Sequence, residues 1–249
     1  MPNSVKKTFF HLFFQAKEFF LDALFPWHCL YCKKEGNELL CKDCLKMISV
    51  FTDFVCPYCH KLITFKKSCY HKNNLLYALG AVSSYENPVL KEAIHAFKYQ
   101  RIIKVKEILA NLLLDFLQKS NFFNELIKDK NKIIVISVPL HKKKELKRGF
   151  NQSHLLAKDI SQYFGLNYFE DIICRKKNNP PQASLKESSQ RKKNVKGVFK
   201  INLKKKRLLK NKIILLIDDV YTTGATMEEI AKILKKAKVK KVIGLVVAR

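Results

Sequence analysis

The stretch Lys212–Leu234, "KIILLIDDVYTTGATMEEIAKIL", decides the fold. Ile213 to Ile217 are consecutive aliphatics, the mark of a strand buried on both faces, and such strands belong to parallel sheets covered by helices. From Thr226 onward the spacing turns helical. Between strand and helix stand two carboxylates, Asp218 and Asp219, and a short loop of small residues. In an open parallel sheet, ligands bind beyond the carboxyl ends of the strands. The loop leaves backbone amides free at a helix N-terminus, where the helix dipole favours an anion. Gly224 permits the tight turn, Ala225 keeps it narrow, and Thr222, Thr223 and Thr226 bring hydroxyls. The carboxylates suit the vicinal hydroxyls of a ribose, and the loop suits its 5′-phosphate. An acidic pair that only caps the helix would leave three Thr around one Gly unexplained.

Outward from this stretch, strands and helices alternate. "YALGAVSSY" (77–85), "KIIVISVPL" (132–140), "GVFKI" (197–201) and "KKVIGLVVA" (240–248) read as strands. "NPVLKEAIHAFKY" (87–99), "IKVKEILANLLLDFLQKS" (103–120) and "NQSHLLAKDISQYFG" (151–165) read as helices, the last stopped by Gly165. This alternation predicts an α/β domain with a parallel sheet flanked by helices over residues 76–249. Residues 175–196 form a polar, Pro-containing interruption, long enough to expect a functional lid.

Seven of the eight Cys fall between residues 29 and 69, which sets off a module at 26–75. Cys29-x2-Cys32 and Cys41-x2-Cys44 are two knuckles whose thiolates complete one tetrahedral zinc site. A second set offers Cys56, Cys59 and Cys69 but no fourth Cys. His71 is the expected fourth ligand of a second zinc, with His60 as the alternative and ligand exchange between the sets left open. Four protein ligands leave no open position, so the zinc is structural. Cys174 reads as a core thiol.

Lys and Arg outnumber Asp and Glu 48 to 21, a net charge of +27. A field of that size complements phosphate-bearing partners, nucleic acid foremost. The clusters "HKKKELKR", with Lys142, Lys143, Lys144, Lys147 and Arg148, and "QRKKNVK", with Lys192 and Lys193, make a candidate interface for single-stranded DNA. Residues 1–25 read as an amphipathic helix, with charged residues breaking every run long enough to span a bilayer. No signal-peptide cleavage pattern follows, and a cytoplasmic protein without a transmembrane segment is expected.

"LLIDDVYTTGAT" resembles the phosphoribosyl pyrophosphate (PRPP) signature of type I phosphoribosyltransferases. Together with "FPWHCLYC", "AIHAFKYQ", "SVPLHKKKELKRGFNQSHLLAKDI" and "RKKNNPPQASLKESSQRKKNVKGVFKI", it makes the chain similar to the ComF/GntX family of competence-associated proteins. That resemblance implies a double zinc ribbon before a type I phosphoribosyltransferase-like sheet. It implies that Asp218 and Asp219 hold the ribose and that Thr222–Thr226 hold the 5′-phosphate. Pro139, Leu140, His141 and Lys142 would form a pyrophosphate loop of unusual peptide conformation. Gln182, Leu185, Arg191 and Asn194 would belong to a flexible lid, and Mg²⁺ would accompany PRPP. It also implies DNA uptake in natural transformation, with other uptake proteins as partners. The alternative is Mg²⁺-dependent phosphoribosyl transfer to an unidentified acceptor. Arg148–Gln152 has no implied role beyond a turn followed by a helix cap.

Overall fold

Burial on both faces requires neighbours on both edges, and the structure supplies them. A computed structural model describes residues 28–67, 69–71, 74–176 and 195–249. The amphipathic segment at 1–25 and the lid residues Gln182, Leu185, Arg191, Lys192, Lys193 and Asn194 lie outside the described residues. Two compact units divide the chain, Met1–Ile48 and Ser49–Arg249. In the first, the described part holds the leading cysteine knuckles and one short helix, α1 (Lys42–Lys46).

The second unit carries β1 (Ala78–Ser83), α2 (Pro88–His95), a π-helical turn (Ala96–Gln100), α3 (Val105–Lys119) and α4 (Asn121–Leu126). There follow β2 (Ile133–Ser137), α5 (Lys142–Arg148), α6 (Gln152–Phe164), β3 (Asn167–Tyr168) and β4 (Ile173–Arg175). The last elements are β5 (Phe199–Ile201), β6 (Ile213–Val220), α7 (Ala225–Lys236) and β7 (Lys241–Ala248). The main sheet runs β1-β7-β6-β2-β3, every pair parallel. β6 therefore lies in its middle, in register with β7 (Ile217 opposite Leu245) and β2 (Ile217 opposite Ser137). Ile214 and Leu216 share a core with Met227, Ile230, Ala231 and Leu234 of α7. Alternation along the strand sends Leu215 and Ile217 to the opposite face, where α6 packs on β6 and β2. The parallel sheet flanked by helices is the architecture the sequence predicts.

Two expectations are corrected. "GVFKI" is not in the main sheet: β5 pairs antiparallel with β4 in a separate hairpin that brackets the polar interruption. Cys174, expected in the core, is exposed on β4, because a two-stranded hairpin has an outward face. The larger unit begins at Ser49, ahead of the change in cysteine density near residue 75. Val55 exchanges backbone hydrogen bonds with Leu79 (3.0 and 2.9 Å), and Phe51 N–H donates to Val82 (2.7 Å), so this segment covers the edge of β1. Phe54 is fully buried, stacked on Phe122 at 4.5 Å and tilted against Phe116 at 5.5 Å. A Cβ at Gly80 would come within 2.6 Å of the Phe54 ring, so β1 needs glycine there. Phe54→Ala should cost about 3–5 kcal/mol. A lowered urea midpoint with unchanged slope is the expected result of a denaturant melt, and an unmoved midpoint would contradict this packing.

Candidate functional site

Each cysteine knuckle repeats one local geometry. In the first, Cys29 N–H donates to Lys34 O (2.9 Å) and Lys33 N–H to Cys29 O (3.0 Å). In the second, Cys56 N–H donates to Lys61 O (2.8 Å) and His60 N–H to Cys56 O (2.9 Å). Lys33 and His60, each four residues after the leading Cys, both take a left-handed backbone (φ 61° and 58°). Cys29, Cys32, Cys41 and Cys44 gather their ligand atoms within 4.8 Å of one another, and so do Cys56, Cys59, Cys69 and His71. A zinc–sulfur bond of about 2.3 Å sets tetrahedral edges of about 3.8 Å. Cys32 and Cys41 are 3.8 Å apart, Cys59 and Cys69 3.6 Å, and Cys56 and His71 Nε2 3.2 Å. Both sets therefore fit a four-coordinate zinc, each from its own ligands, and His71 rather than His60 completes the second. Four thiols packed so closely resist ionising together. Burial first, then its three companions, push Cys44 up to about 12. A divalent cation among them turns that repulsion into ligation.

At the end of β6 the acidic pair is held by residues from two other elements. Asp219 is buried, and its Oδ1 lies 2.8 Å from Lys98 Nζ, carried by the π-helical turn. Asp218 Oδ1 accepts from Ser153 Oγ of α6 (2.8 Å) and from the Asp219 N–H (2.9 Å). Burial, and then the neighbouring Asp219 charge, push Asp218 up to about 7. Burial alone would lower Lys98, but Asp219, with Asp218 behind it, holds its pKa above the ordinary lysine value. Burial lowers Arg175, at the end of β4, and the Asp218 charge opposes that shift.

The Thr/Gly loop turns on Gly224 (φ 74°), which precedes α7 and whose bare Cα faces the Tyr221 ring. Thr222 is exposed, while Thr223 Oγ1 is buried without a hydrogen-bond partner among the described residues. The space the loop encloses is about 20 Å³, enough for one water and not a phosphate. An anion must sit over the exposed side of the loop or move it. A wider cleft of about 920 Å³ runs along the β3 edge, lined by His154, Tyr168 and Glu170. In the sheet order β3 stands two strands from β6, which carries the acidic pair.

Arg148–Gln152 acquires a role. Asn151 caps α6 by accepting from Ser153 N–H and donates to Val138 O (3.2 Å). Gln152, also buried, donates to Phe97 O and accepts from Arg148 (2.9 Å). These contacts tie the end of β2, the turn carrying Lys98 and the helix carrying Ser153 into one frame. Pro139 and Leu140 form the loop after β2, but His141 is the N-cap of α5 and Lys142 its first residue. No described peptide is cis and none of Pro139–Lys142 has positive φ, so the implied unusual conformation is absent. α5 buries none of its residues. Lys142, Lys143 and Lys147 are exposed; Lys144 is partly buried, and Arg148 lies 5.4 Å over the Tyr99 ring.

Lys98, Ser153 and Arg175 were not picked out from the sequence. Lys98 had a signal, since it stands four residues after the buried Ile94 on the apolar stripe of α2.

Comparison with known families matches residues 151–249 to the phosphoribosyl transferase domain and residues 20–71 to the double zinc ribbon domain. The chain is 29% identical to Competence protein F of Haemophilus influenzae, over 88% of this chain and 95% of that protein. It is 28% identical to DNA utilization protein YhgH of Escherichia coli K12, over 84% and 89%. Competence protein ComFC of Bacillus subtilis is 28% identical over 85% and 84%.

Metal analysis in reducing buffer should give about two zinc per chain, falling to about one when Cys56 and Cys59 are changed to Ser. A total of one in the parent would remove the second site. Asp218 titrates near 7 when folded, above its unfolded value, so it favours folding at low pH and loses that contribution as pH rises through about 7. Asp218→Asn should therefore gain stability relative to the parent as pH rises from about 4 to about 7, and keep that gain above it. Parallel pH–stability curves would show that Asp218 is not held in this way.

Proposed function

Because the chain belongs to the ComF family, which joins a double zinc ribbon to a phosphoribosyltransferase domain, we propose that it is a DNA-uptake protein of natural transformation. In this reading it binds single-stranded DNA and holds PRPP, or a related phosphoribosyl ligand, at the end of β6. The observation that carries the ligand site is the acidic pair beside a loop with an orphaned buried hydroxyl. Asp218 and Asp219 receive the ribose hydroxyls, and Thr222, Thr223, Gly224, Ala225 and Thr226 receive the 5′-phosphate. Lys98 pairs with Asp219 and fixes its position, and Ser153 orients Asp218. Pro139, Leu140, His141 and Lys142 face the pyrophosphate end, with Arg175 leading into the lid.

Among the described residues, the two cysteine sets are the only clusters of three or more His, Cys, Asp or Glu close enough to hold an ion. Mg²⁺ would arrive on the phosphates of the ligand, where it would neutralise charge on the pyrophosphate. The second reading is phosphoribosyl transfer to an unidentified acceptor. It is favoured by the retention of both carboxylates, since a simple phosphate platform has no use for a ribose clamp. For DNA, the bare cationic face of α5 is the candidate surface. No described helix is long and apolar enough to cross a membrane. A cytoplasmic site of action, with other uptake proteins as partners, completes the proposal.

Removing both carboxylates would strand Lys98, a buried cation, and confuse binding with folding. The cleaner variants are Asp218→Asn and the pair Asp219→Ala with Lys98→Met. Each should weaken PRPP binding at least about tenfold in calorimetry, as expected for losing a charge-assisted hydrogen bond. Parent-like affinity in both would reduce the acidic pair to a structural role. Changing Lys142, Lys143 and Lys147 to Gln should flatten the salt dependence of single-stranded DNA binding by about 2 in the log–log slope, at about 0.7 per phosphate contact. An unchanged slope would take α5 out of the DNA surface.

A further inference from the structure

Behind the phosphate loop lies a second cavity, of about 280 Å³, lined by Phe51, His60, Ser84, Tyr221, Thr222 and Arg249. Thr222 and Tyr221 line both this cavity and the space enclosed by the loop, so the two are adjacent. The Arg249 guanidinium is laid over the Phe51 ring at 4.7 Å and donates from its NH1 to His60 Nδ1 at 3.0 Å. Among the described residues no carboxylate pairs with it, and burial lowers its pKa. A half-buried guanidinium whose partners are a ring face and a single ring nitrogen keeps donors for an anion. Ser84 Oγ accepts from Glu86 N–H (3.1 Å), which leaves its own hydrogen free to donate. The exposed Thr222 hydroxyl completes the polar wall.

The second cysteine knuckle builds this wall. Its left-handed residue, held by the Cys56–His60 and Cys56–Lys61 backbone bonds, is His60, which is turned away from the ligand set and toward Arg249. β7 supplies the other side, because the Arg249 N–H bonds Ser83 O (3.2 Å) directly after the strand.

We infer that this cavity is a second anion subsite, which takes the phosphate attached on the 5′ side of a sugar phosphate seated in the Thr222–Thr226 loop. The class of ligand is a ribosyl 5′-phosphate extended by another phosphate, either a nucleoside 5′-diphosphate or a strand continuing through a phosphodiester. The inference rests on the reading of the loop as a 5′-phosphate site. It deepens that reading, because a site for a free sugar phosphate alone has no need of a cation beyond the 5′-phosphate.

The test compares uridine 5′-monophosphate, uridine 5′-diphosphate and the dinucleotide pUpU on the full-length protein, with His60 ring signals followed by NMR. A ligand with the second phosphate should bind about tenfold tighter than the monophosphate, the gain expected from a charge-assisted hydrogen bond. Arg249→Gln should erase that gain and leave monophosphate affinity unchanged, and Arg249→Lys should restore part of it. A preference for the diphosphate over pUpU identifies a nucleotide ligand, and the reverse identifies a strand. Equal binding of all three, or a gain that survives Arg249→Gln, overturns the subsite. Failure of the monophosphate to bind would instead sink the ribosyl reading of the loop. The cavity is then judged by inorganic pyrophosphate: His60 signals that shift in the parent and not in Arg249→Gln support it, and unmoved signals overturn it.

Discussion

Burial of Ile213–Ile217 between β7 and β2 is the constraint from which the rest follows. A strand so placed needs helices over both faces, and its polar groups can emerge only at its end. There the chain sets two carboxylates side by side. Like charges on neighbouring residues in a buried place disfavour ionising both. The structure relieves this from two directions, with Lys98 at 2.8 Å from Asp219 and the Ser153 hydroxyl at 2.8 Å from Asp218. The relief is incomplete: burial, and then the Asp219 charge, still hold the Asp218 carboxyl well above the usual carboxylate range. The lysine that pairs with Asp219 sits, largely buried, on a π-helical turn, and such turns gather at functional sites. Gln152 bonds that turn at Phe97 O while Asn151 bonds Val138 O after β2, which gives a structural purpose to a stretch the sequence marks only as a turn and cap.

The parts legible in the sequence were those with a strong period or a strong spacing. β6, β7, β2 and β1 are runs of aliphatics; α3, α6 and α7 carry clear apolar stripes; the cysteine sets announce themselves by Cys-x2-Cys. What escaped had neither. α5 is charged at every position but Leu146, which is 82% exposed, so it has no apolar face to reveal a helix. α4 spans little more than one turn and is defined by its Ser120 cap. The β4–β5 hairpin pairs segments separated by the long polar interruption, a long-range contact that local pattern does not encode. For the site, the motif gave Asp218, Asp219 and the loop, whereas Lys98 and Ser153 come from elements distant in sequence.

The two knuckles illustrate how one local geometry serves different ends. Their hydrogen bonds and left-handed residues match, yet the left-handed position is Lys33 in one and His60 in the other. In the first unit that residue is a solvent-facing lysine. In the second it is an imidazole bonded to Arg249 and lining a cavity beside the phosphate loop. Metal-ligand spacing alone, which names His60 only as a spare ligand, does not reveal this.

Gly80 has a bearing on descent as well as on packing. A glycine in a buried strand leaves a socket, and here the Phe54 ring from the segment before β1 fills it. Socket and plug lie on opposite sides of the cysteine cluster formed by Cys56, Cys59, Cys69 and His71. A lineage that lost the second ribbon half would expose the socket, and one that enlarged the socket would expel the plug. Neither partner can drift alone, so the later ribbon half and the sheet are bound to be inherited as one piece.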